Sequence, residues 1–275
     1  VLDSGYWAEG EYTKKFEEKL QKFFNNKYVI ATNSCTSALH LAYKILGIEE
    51  GSYVLTTPMT CVASNVPLEA LKATIVWVDV DPNHGMLSAQ TIQETWDRLT
   101  DYEKTKVKAV VYVCWGGDLG PLEEVDRICK TLNIKLIIDA AQSFGVKYAD
   151  NILGDCKHGD MVAMSYQAIK HISTGDGGSL AFRNREDFIR ASKLKWFGID
   201  RESFKTPIGE INWFLDIPEM GYKFHMNNIA AAIGIAHMEE LEQTNNLRLN
   251  KYIENDKIIT LLIEKHGVGK RSWYG

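Results

Sequence analysis

The sequence predicts an α/β protein with a three-layer α/β/α large domain, in which helices cover both faces of a mainly parallel sheet. Short apolar runs alternate with segments of helical periodicity along most of the chain. The runs are apolar at nearly every position, which is typical of parallel strands buried on both faces. The chain has 275 residues, of which 45% are hydrophobic, so it can bury the core of one large domain and of a small second one.

Seven apolar runs are the predicted strands. They cover residues 28–32, 53–57, 74–80, 107–113, 135–141, 160–165 and 177–182. Each of the first four is followed by a segment with helical spacing, as in repeated strand-helix-strand units. These helical segments cover residues 37–47, 63–73, 88–99 and 121–132. The last two strands flank a glycine-rich loop that contains one lysine.

From about Met226 the pattern is helical as far as residue 265. Because no proline-rich linker or low-complexity segment interrupts the chain, a domain boundary has to lie in a helix that leaves the large domain. We therefore predict a large domain over residues 1–242 and the start of a second domain over residues 243–275.

Composition limits the partners of the chain. The net charge of −5, with both signs interspersed, argues against a large nucleic-acid-binding surface. No apolar run approaches the length of about 18 residues that spans a membrane, and the N-terminus lacks the pattern of a signal peptide, so a cytoplasmic protein is predicted. The five cysteines are scattered and form no C-x-x-C pair, which indicates reduced thiols and no metal site.

Polar residues that directly follow a strand are the first candidates for a binding site, because ligands of open α/β sheets bind at the carboxyl ends of the strands. In "ATNSCTSALHLA", Ser34, Thr36 and Ser37 stand where a helix begins and could hold a phosphate group. Ordinary N-capping is the alternative. In "TTPMTCVASN", Thr60 and Cys61 could lie over a flat ligand, and the alternative is helix capping by Thr60 and a buried thiol.

Two further strand ends carry an acid and an amine. Asp139 closes an apolar run in "KLIIDAAQSFG", and Gln142 follows three positions later. A carboxylate in this position can face a cationic ligand or cap the next turn. Lys170 in "SYQAIKHISTGDGGSL" lies between a strand and a glycine loop, where an amine can bond covalently to a carbonyl group. The alternative is one more exposed lysine among the 31 lysines and arginines.

The order of these features indicates pyridoxal 5′-phosphate as the cofactor. It needs an amine for its aldehyde, a carboxylate for its pyridine nitrogen and donors for its phosphate. Lys170 and Asp139 would supply the first two, and Thr36 with Ser165 would supply the phosphate donors. The large domain is therefore the predicted cofactor-binding domain.

A family resemblance runs almost from end to end of the chain. It is carried, in order, by "FEEKLQKFF", "TNSCTSALHLA", "TTPMTCVASN", "VDVDP", "IIDAAQSFG", "SYQAIKHISTGDGG" and "NNIAAAIGIAHMEELE". With these stretches the chain resembles the DegT/DnrJ/StrS family of nucleotide-sugar aminotransferases, which are pyridoxal-phosphate-dependent enzymes of fold type I. Members of that family usually continue beyond the last of these stretches, so the resemblance implies that a small C-terminal domain is largely absent here.

The resemblance implies a role for each matching residue. Lys170 is similar to the Schiff-base lysine of the family, and Asp139 to the partner of the pyridine nitrogen. Gln142 is similar to the glutamine beside the hydroxyl group of the cofactor, and Ser165 to the phosphate-binding serine.

Several positions depart from the family pattern. Cys35 and Thr36 match a Gly-Thr phosphate turn, with cysteine in place of glycine. Cys61 stands where the family commonly has an aromatic residue against the cofactor ring. Lys223 and His225 stand in for an asparagine and an arginine, and the asparagine reaches the phosphate bound by the neighbouring subunit.

The activity that the resemblance implies is transfer of an amino group, with glutamate as the expected donor, to a keto group of a nucleotide-linked deoxysugar. A homodimer with shared active sites is expected, through the stretch from Tyr222 to Asn228 among others. Two alternatives are another pyridoxal phosphate reaction on a sugar, such as dehydration or elimination, and a catalytically idle cofactor- or sugar-binding sensor. His171 could be a second proton shuttle, although adjacent residues of an extended chain point in opposite directions.

Overall fold

A seven-stranded sheet forms the centre of the fold. The computed structural model describes residues 1–148, 151–200, 212 and 216–266, without the side chains of residues 262–264 and 266. The strands are β1 (Val29–Thr32), β2 (Tyr53–Thr56), β3 (Thr74–Trp77), β4 (Val107–Val113), β5 (Lys135–Asp139), β6 (Lys147–Tyr148), β7 (Asn151–Ile152), β8 (Met161–Ser165) and β9 (Gly178–Phe182). Seven of them form the sheet in the order β1-β9-β8-β5-β4-β2-β3, whereas β6 and β7 pair separately.

The sheet is mainly parallel. Neighbouring strands run parallel from β3 through β2, β4 and β5 to β8, and β9 is antiparallel to its neighbours β8 and β1. The predicted α/β class is therefore confirmed, and each predicted apolar run supplies one strand. Three strands end earlier than predicted, β2 at Thr56, β3 at Trp77 and β5 at Asp139. After Asp139 the chain turns, because the amide of Ala141 donates to the Asp139 side chain.

Helices pack on both faces of the sheet. Those of the described residues are α1 (Glu11–Phe24), α2 (Cys35–Ile45), α3 (Val66–Ala70), α4 (Ala89–Arg98), α5 (Asp101–Lys106), α6 (Leu122–Thr131), α7 (Arg185–Leu194), α8 (Asn228–Glu239) and α9 (Leu241–His266). The predicted segments correspond to α2, α3, α4 and α6, and Glu240 divides the predicted C-terminal helix into α8 and α9. Helices α1, α5 and α7 are not among the predicted segments, although α1 buries Phe16, Leu20 and Phe24 at regular four-residue spacing.

Two apolar cores lie on opposite faces of the sheet, as the alternation of side chains along a strand requires. Along β5, Leu136 and Ile138 belong to one core and Ile137 belongs to the other. Helices α1, α4, α6 and α8 cover the first core, and α2, α3 and α7 cover the second. The three predicted layers are therefore present.

The division into two domains at residue 242 stays a prediction. Helix α9 begins at Leu241, and residues 267–275 of the predicted second domain lie outside the described residues. Among the helices that the structure describes, none is both long enough and apolar enough to cross a membrane.

Candidate active site

A cavity of about 370 Å³ lies at one edge of the sheet. Because β1, β2, β4, β5 and β8 run in the same direction, their carboxyl ends meet at this edge. The antiparallel β9 brings its amino end to the same place. Residues that follow each of these five strands, together with residues just before β9, line the cavity.

Seven of the eight predicted site residues line this cavity. They are Cys35, Thr36, Cys61, Asp139, Gln142, Ser165 and Lys170. The eighth, Lys223, is not among the lining residues. The fold thus assembles, from separate strand ends, the groups that the sequence analysis selects one by one.

The start of α2 contributes one part of the lining. Ser34 is the N-cap of this helix, and its hydroxyl accepts a hydrogen bond from Ser37 N at 3.0 Å. The ordinary N-cap that the sequence allowed as an alternative is therefore present at Ser34, and the first-turn amides of Cys35 and Thr36 precede the capped amide. Cys35 has no left-handed backbone conformation, so a side chain is tolerated where the family has glycine. A Cβ atom at Gly178 would lie 2.5 Å from Cys35 N, so β9 packs directly against this turn.

Asp139 is a buried carboxylate of the cavity. Its Oδ2 accepts a hydrogen bond from the Ser64 hydroxyl at 2.6 Å, and its Oδ1 accepts one from Ala141 N at 3.1 Å. Thr60 Oγ1 lies 2.7 Å from Ser64 Oγ, and Thr60 is not the helix cap that the sequence suggested as an alternative. Burial raises the pKa of Asp139. The two hydrogen bonds and the charge of Lys170 lower this pKa, but burial has the larger effect. A cation in the cavity would stabilise the ionised form.

Lys170 lies in a turn between β8 and β9. Its backbone amide donates to Gln167 O at 2.8 Å, and its half-buried side chain lines the cavity. The guanidinium group of Arg248, on α9, donates to the carbonyl oxygens of Lys170 and His171 at 3.3 and 3.2 Å. The expected extended chain is therefore not found here, and His171 is not among the lining residues. Burial, and then the charges of Arg248 and Lys170, lower the pKa of His171.

The cavity also has lining residues that the sequence analysis does not select. Cys114 and Trp115 follow β4, and Asp176 precedes β9. Gln142 is tied to this part of the lining, because its Oε1 accepts a hydrogen bond from Gly116 N at 2.7 Å. Neither Cys114 nor Trp115 is strongly polar, so the signal that could have found them is their position directly after β4.

The three cysteines of the cavity differ in exposure. Cys35 and Cys114 are buried, whereas Cys61 is exposed, so the alternative of a buried thiol at Cys61 is wrong. Burial, and then the neighbouring Asp139 carboxylate, raise the pKa of both buried thiols. The buried thiols are therefore neutral near pH 7, and Cys61 is the thiol that a ligand can meet from the solvent side.

Lys223 lies outside the cavity of its own chain. Its side chain is exposed, with Nζ 5.4 Å from the centroid of the Phe197 ring. Its carbonyl oxygen accepts a hydrogen bond from Asn33 Nδ2 at 3.1 Å, and Asn33 N donates to Phe224 O at 2.7 Å. The backbone of this stretch therefore adjoins the turn that begins α2, while the ammonium group contacts Phe197.

The chemistry of the lining residues fits pyridoxal 5′-phosphate. The cavity offers the amine of Lys170 and the buried carboxylate of Asp139. The hydroxyl groups of Thr36 and Ser165 add donors to the first-turn amides of α2. An aldehyde, a pyridine nitrogen and a phosphate group each need one of these three sets of groups.

Comparison with known proteins identifies relatives over the whole chain. The sequence profile of the DegT/DnrJ/EryC1/StrS aminotransferase family matches residues 1–257. The chain is 30% identical, over 233 residues, to the UDP-4-amino-4,6-dideoxy-N-acetyl-beta-L-altrosamine transaminase of Campylobacter jejuni, and the match covers 85% of this chain and 58% of that protein. It is 27% identical, over 279 residues, to the spore coat polysaccharide biosynthesis protein SpsC of Bacillus subtilis, covering 100% of this chain and 69% of that one.

Solved structures show the same relationship. The sugar aminotransferase CalS13 from Micromonospora echinospora is 30% identical with a TM-score of 0.76, and the match covers 88% of this chain and 64% of that one. The chain thus spans between 58% and 69% of the length of these three proteins. Enzymes of the matched family depend on pyridoxal 5′-phosphate, so the resemblance and the cofactor predicted from the sequence are confirmed at the level of the family.

Proposed function

Because the chain belongs to the DegT/DnrJ/EryC1/StrS aminotransferase family, we propose that it moves an amino group from an amino acid, with glutamate as the expected donor, to a keto group of a nucleotide-linked deoxysugar. The observation that carries the proposal is the convergence of Lys170, Asp139 and Ser165 on one cavity at the carboxyl ends of the parallel strands. The relative from Campylobacter jejuni bears the name of a transaminase for a UDP-linked sugar, which supports a nucleotide sugar as the substrate.

Each residue of the cavity has a task in this reaction. When bound, pyridoxal phosphate supplies an electron sink for the carbon that loses a proton. Lys170 would hold the cofactor through its Nζ, and its amine, once the amino donor has displaced it, would move a proton to and from the α carbon of that donor. The Asp139 carboxylate holds a proton at the ring nitrogen. Thr36, Ser165 and the first-turn amide of Cys35 bind the phosphate.

Two residues orient the ring in this proposal. Gln142 is held by Gly116 N and presents its amide group beside the hydroxyl group of the cofactor. Cys61 lines the cavity with an exposed thiol and would lie against the face of the ring, in place of the larger aromatic surface of the family. A small side chain there leaves the other residues to hold the ring in place.

The active form that we propose is a homodimer, in which Lys223 meets the phosphate bound by the partner subunit as a point charge. The Lys223 side chain is exposed and does not line the cavity of its own chain, which supports this arrangement. The segment after β2, which supplies Cys61 to the cavity, also exposes 36% of Met59, 72% of Val62 and 53% of Val66. Apolar side chains exposed beside a site are typical of a surface that a second subunit covers.

The compartment that we propose is the cytoplasm. All five cysteines are free thiols, and Cys61 is exposed to solvent. Reducing compartments keep such thiols from forming disulfides.

The cofactor anchor is tested by mixing the purified chain with pyridoxal phosphate, reducing with borohydride and locating the modified peptide by mass spectrometry. We expect the label on Lys170, and we expect Lys170→Ala to lose both the label and turnover of a keto sugar nucleotide with glutamate. Lys193→Ala, which changes a lysine of α7 outside the lining of the cavity, is the matched control and should keep both. A label on another lysine would contradict the proposed site, and turnover that needs no amino donor would favour dehydration or elimination.

A further inference from the structure

We propose that Ser64 is a positioning residue for Asp139, whose hydroxyl keeps the shared proton on the ring nitrogen of bound pyridoxal phosphate rather than on the carboxylate. The inference rests on the proposed function, because it assumes that Asp139 faces that nitrogen. Ser64 follows Cys61 by three positions and does not itself line the cavity.

Ser64 is held in place by contacts on both its side chain and its backbone. The residue is 1% exposed, and its hydroxyl donates to Asp139 Oδ2 at 2.6 Å. Its carbonyl oxygen accepts a hydrogen bond from the hydroxyl of the fully buried Tyr43 at 2.7 Å. Within the part of the chain that the structure describes, Ser64 is the one side chain that hydrogen-bonds to Asp139, and the backbone amide of Ala141 is the other donor.

Thr60 extends this contact to the cavity. Its Oγ1 lies 2.7 Å from Ser64 Oγ, and the residue lines the cavity. Because an ionised carboxylate only accepts hydrogen bonds, the Ser64 proton points to Asp139 and Thr60 is the donor to Ser64. Hydrogen bonds in such a chain polarise one another, so Thr60 strengthens the bond from Ser64 to Asp139.

The Ser64 hydrogen bond affects whether the proton shared by Asp139 and the ring nitrogen lies on the carboxylate or on the nitrogen. Asp139 is 5% exposed, so water contributes little to the stability of its charge. The ionic arrangement of carboxylate and protonated ring competes with the neutral arrangement of carboxylic acid and unprotonated ring. The Ser64 hydrogen bond is stronger to the ionised carboxylate than to the neutral acid, so it favours the protonated ring. Since the ring accepts electron density more readily when protonated, Ser64 acts on the chemistry without touching the cofactor.

Four variants test this role. Ser64→Ala removes the donor, Ser64→Thr keeps a hydroxyl, and Thr60→Val removes the second link with little change of shape. Ser179→Ala is the matched control, because it removes an equally buried hydroxyl that pairs with the Tyr166 hydroxyl at 2.6 Å. Nitrogen-15 NMR of bound pyridoxal phosphate labelled at its ring nitrogen measures protonation, and an equilibrium titration measures Kd.

For Ser64→Ala we expect the nitrogen signal to move toward the unprotonated form, and Kd for pyridoxal phosphate to rise roughly tenfold, as for the loss of a hydrogen bond to a charged group. Thr60→Val should give a smaller shift in the same direction. Ser64→Thr and Ser179→Ala should keep the wild-type signal.

The outcomes separate this role from the proposed function. If wild type attaches pyridoxal phosphate to Lys170 and Ser64→Ala gives the wild-type signal, the role of Ser64 is overturned alone. If wild type does not attach the cofactor to Lys170, the proposed function is overturned, and the role of Ser64 with it. If Ser64→Ala does not fold, the nitrogen-15 signal of Thr60→Val provides the test. A signal at the wild-type position in that variant overturns the role of Ser64.

Discussion

Asp139 weakens the folded chain when no cofactor is bound. Its carboxylate is 5% exposed, and burial raises its pKa despite the opposing hydrogen bonds from Ser64 and Ala141 and the charge of Lys170. Between the ordinary pKa of an aspartate and this raised pKa, the folded chain holds more protons than the unfolded chain. The contribution of Asp139 to the free energy of unfolding therefore falls as the pH rises through this window.

Replacing Asp139 with asparagine should separate stability from binding. Without cofactor, Asp139→Asn is expected to have a higher free energy of unfolding than wild type at neutral pH, and the difference should shrink as the pH falls below the ordinary aspartate range. Its Kd for pyridoxal phosphate should rise about tenfold or more, because a hydrogen bond to a charged group is weakened. Denaturant unfolding across a pH series and a cofactor titration measure the two effects. A variant that is less stable than wild type at neutral pH, with an unchanged Kd, would contradict this account.

At the scale of elements, a buried charge cluster holds helix α7 to helix α1. Lys195 directly follows α7, and its Nζ lies 2.8 Å from carboxylate oxygens of Glu9 and of Glu17, which is in α1. Glu17 Oε1 also accepts a hydrogen bond from the amide of Ala31 in β1 at 2.8 Å. Since the Lys195 side chain is 6% exposed, the cluster joins the N-terminal segment, α1, β1 and α7 through a largely buried ammonium group.

Replacing Lys195 should therefore destabilise the folded chain. Lys195→Met is expected to lower the free energy of unfolding by about 3–5 kcal/mol, because two carboxylates lose their buried partner. The control is Lys193→Met. The Lys193 side chain is 44% exposed and lies 3.7 Å from Asp200, so it should contribute no more than about 1 kcal/mol. Urea unfolding of both variants measures the difference. Equal losses in the two variants would show that water solvates the Glu9 and Glu17 carboxylates in solution.

At the scale of the whole molecule, the proposed sharing of active sites between two subunits would allow two defective variants to restore each other. Lys170→Ala lacks the amine, and Lys223→Met lacks the charge proposed to act on the partner subunit. In a mixed dimer, one of the two sites combines Lys170 from one chain with Lys223 from the other. We expect cofactor attachment and turnover to return when the two variants are mixed, and light scattering to show a dimer. A mixture no more active than its separate components would contradict a role for Lys223 across the interface.

The sequence by itself determined the α/β class, the seven strands and the meeting of Lys170, Asp139 and Ser165. Each of these strands is a local apolar run, which one segment of sequence is enough to reveal. The carboxyl ends of parallel strands then meet at one edge because of backbone geometry alone. Residues at or just after the ends of these strands therefore lie near the same cavity, and this does not depend on the side chains that surround them.

Only the tertiary structure decided which side chains touch within and behind that cavity. The hydrogen bond from Ser64 to Asp139 joins residues 75 positions apart, and the bond from Arg248 to the Lys170 carbonyl joins residues 78 positions apart. Such contacts depend on distances of a few ångströms between elements that pack together only in the folded chain. A local pattern of apolar and polar residues specifies which face of an element is buried, but it carries no information about these distances.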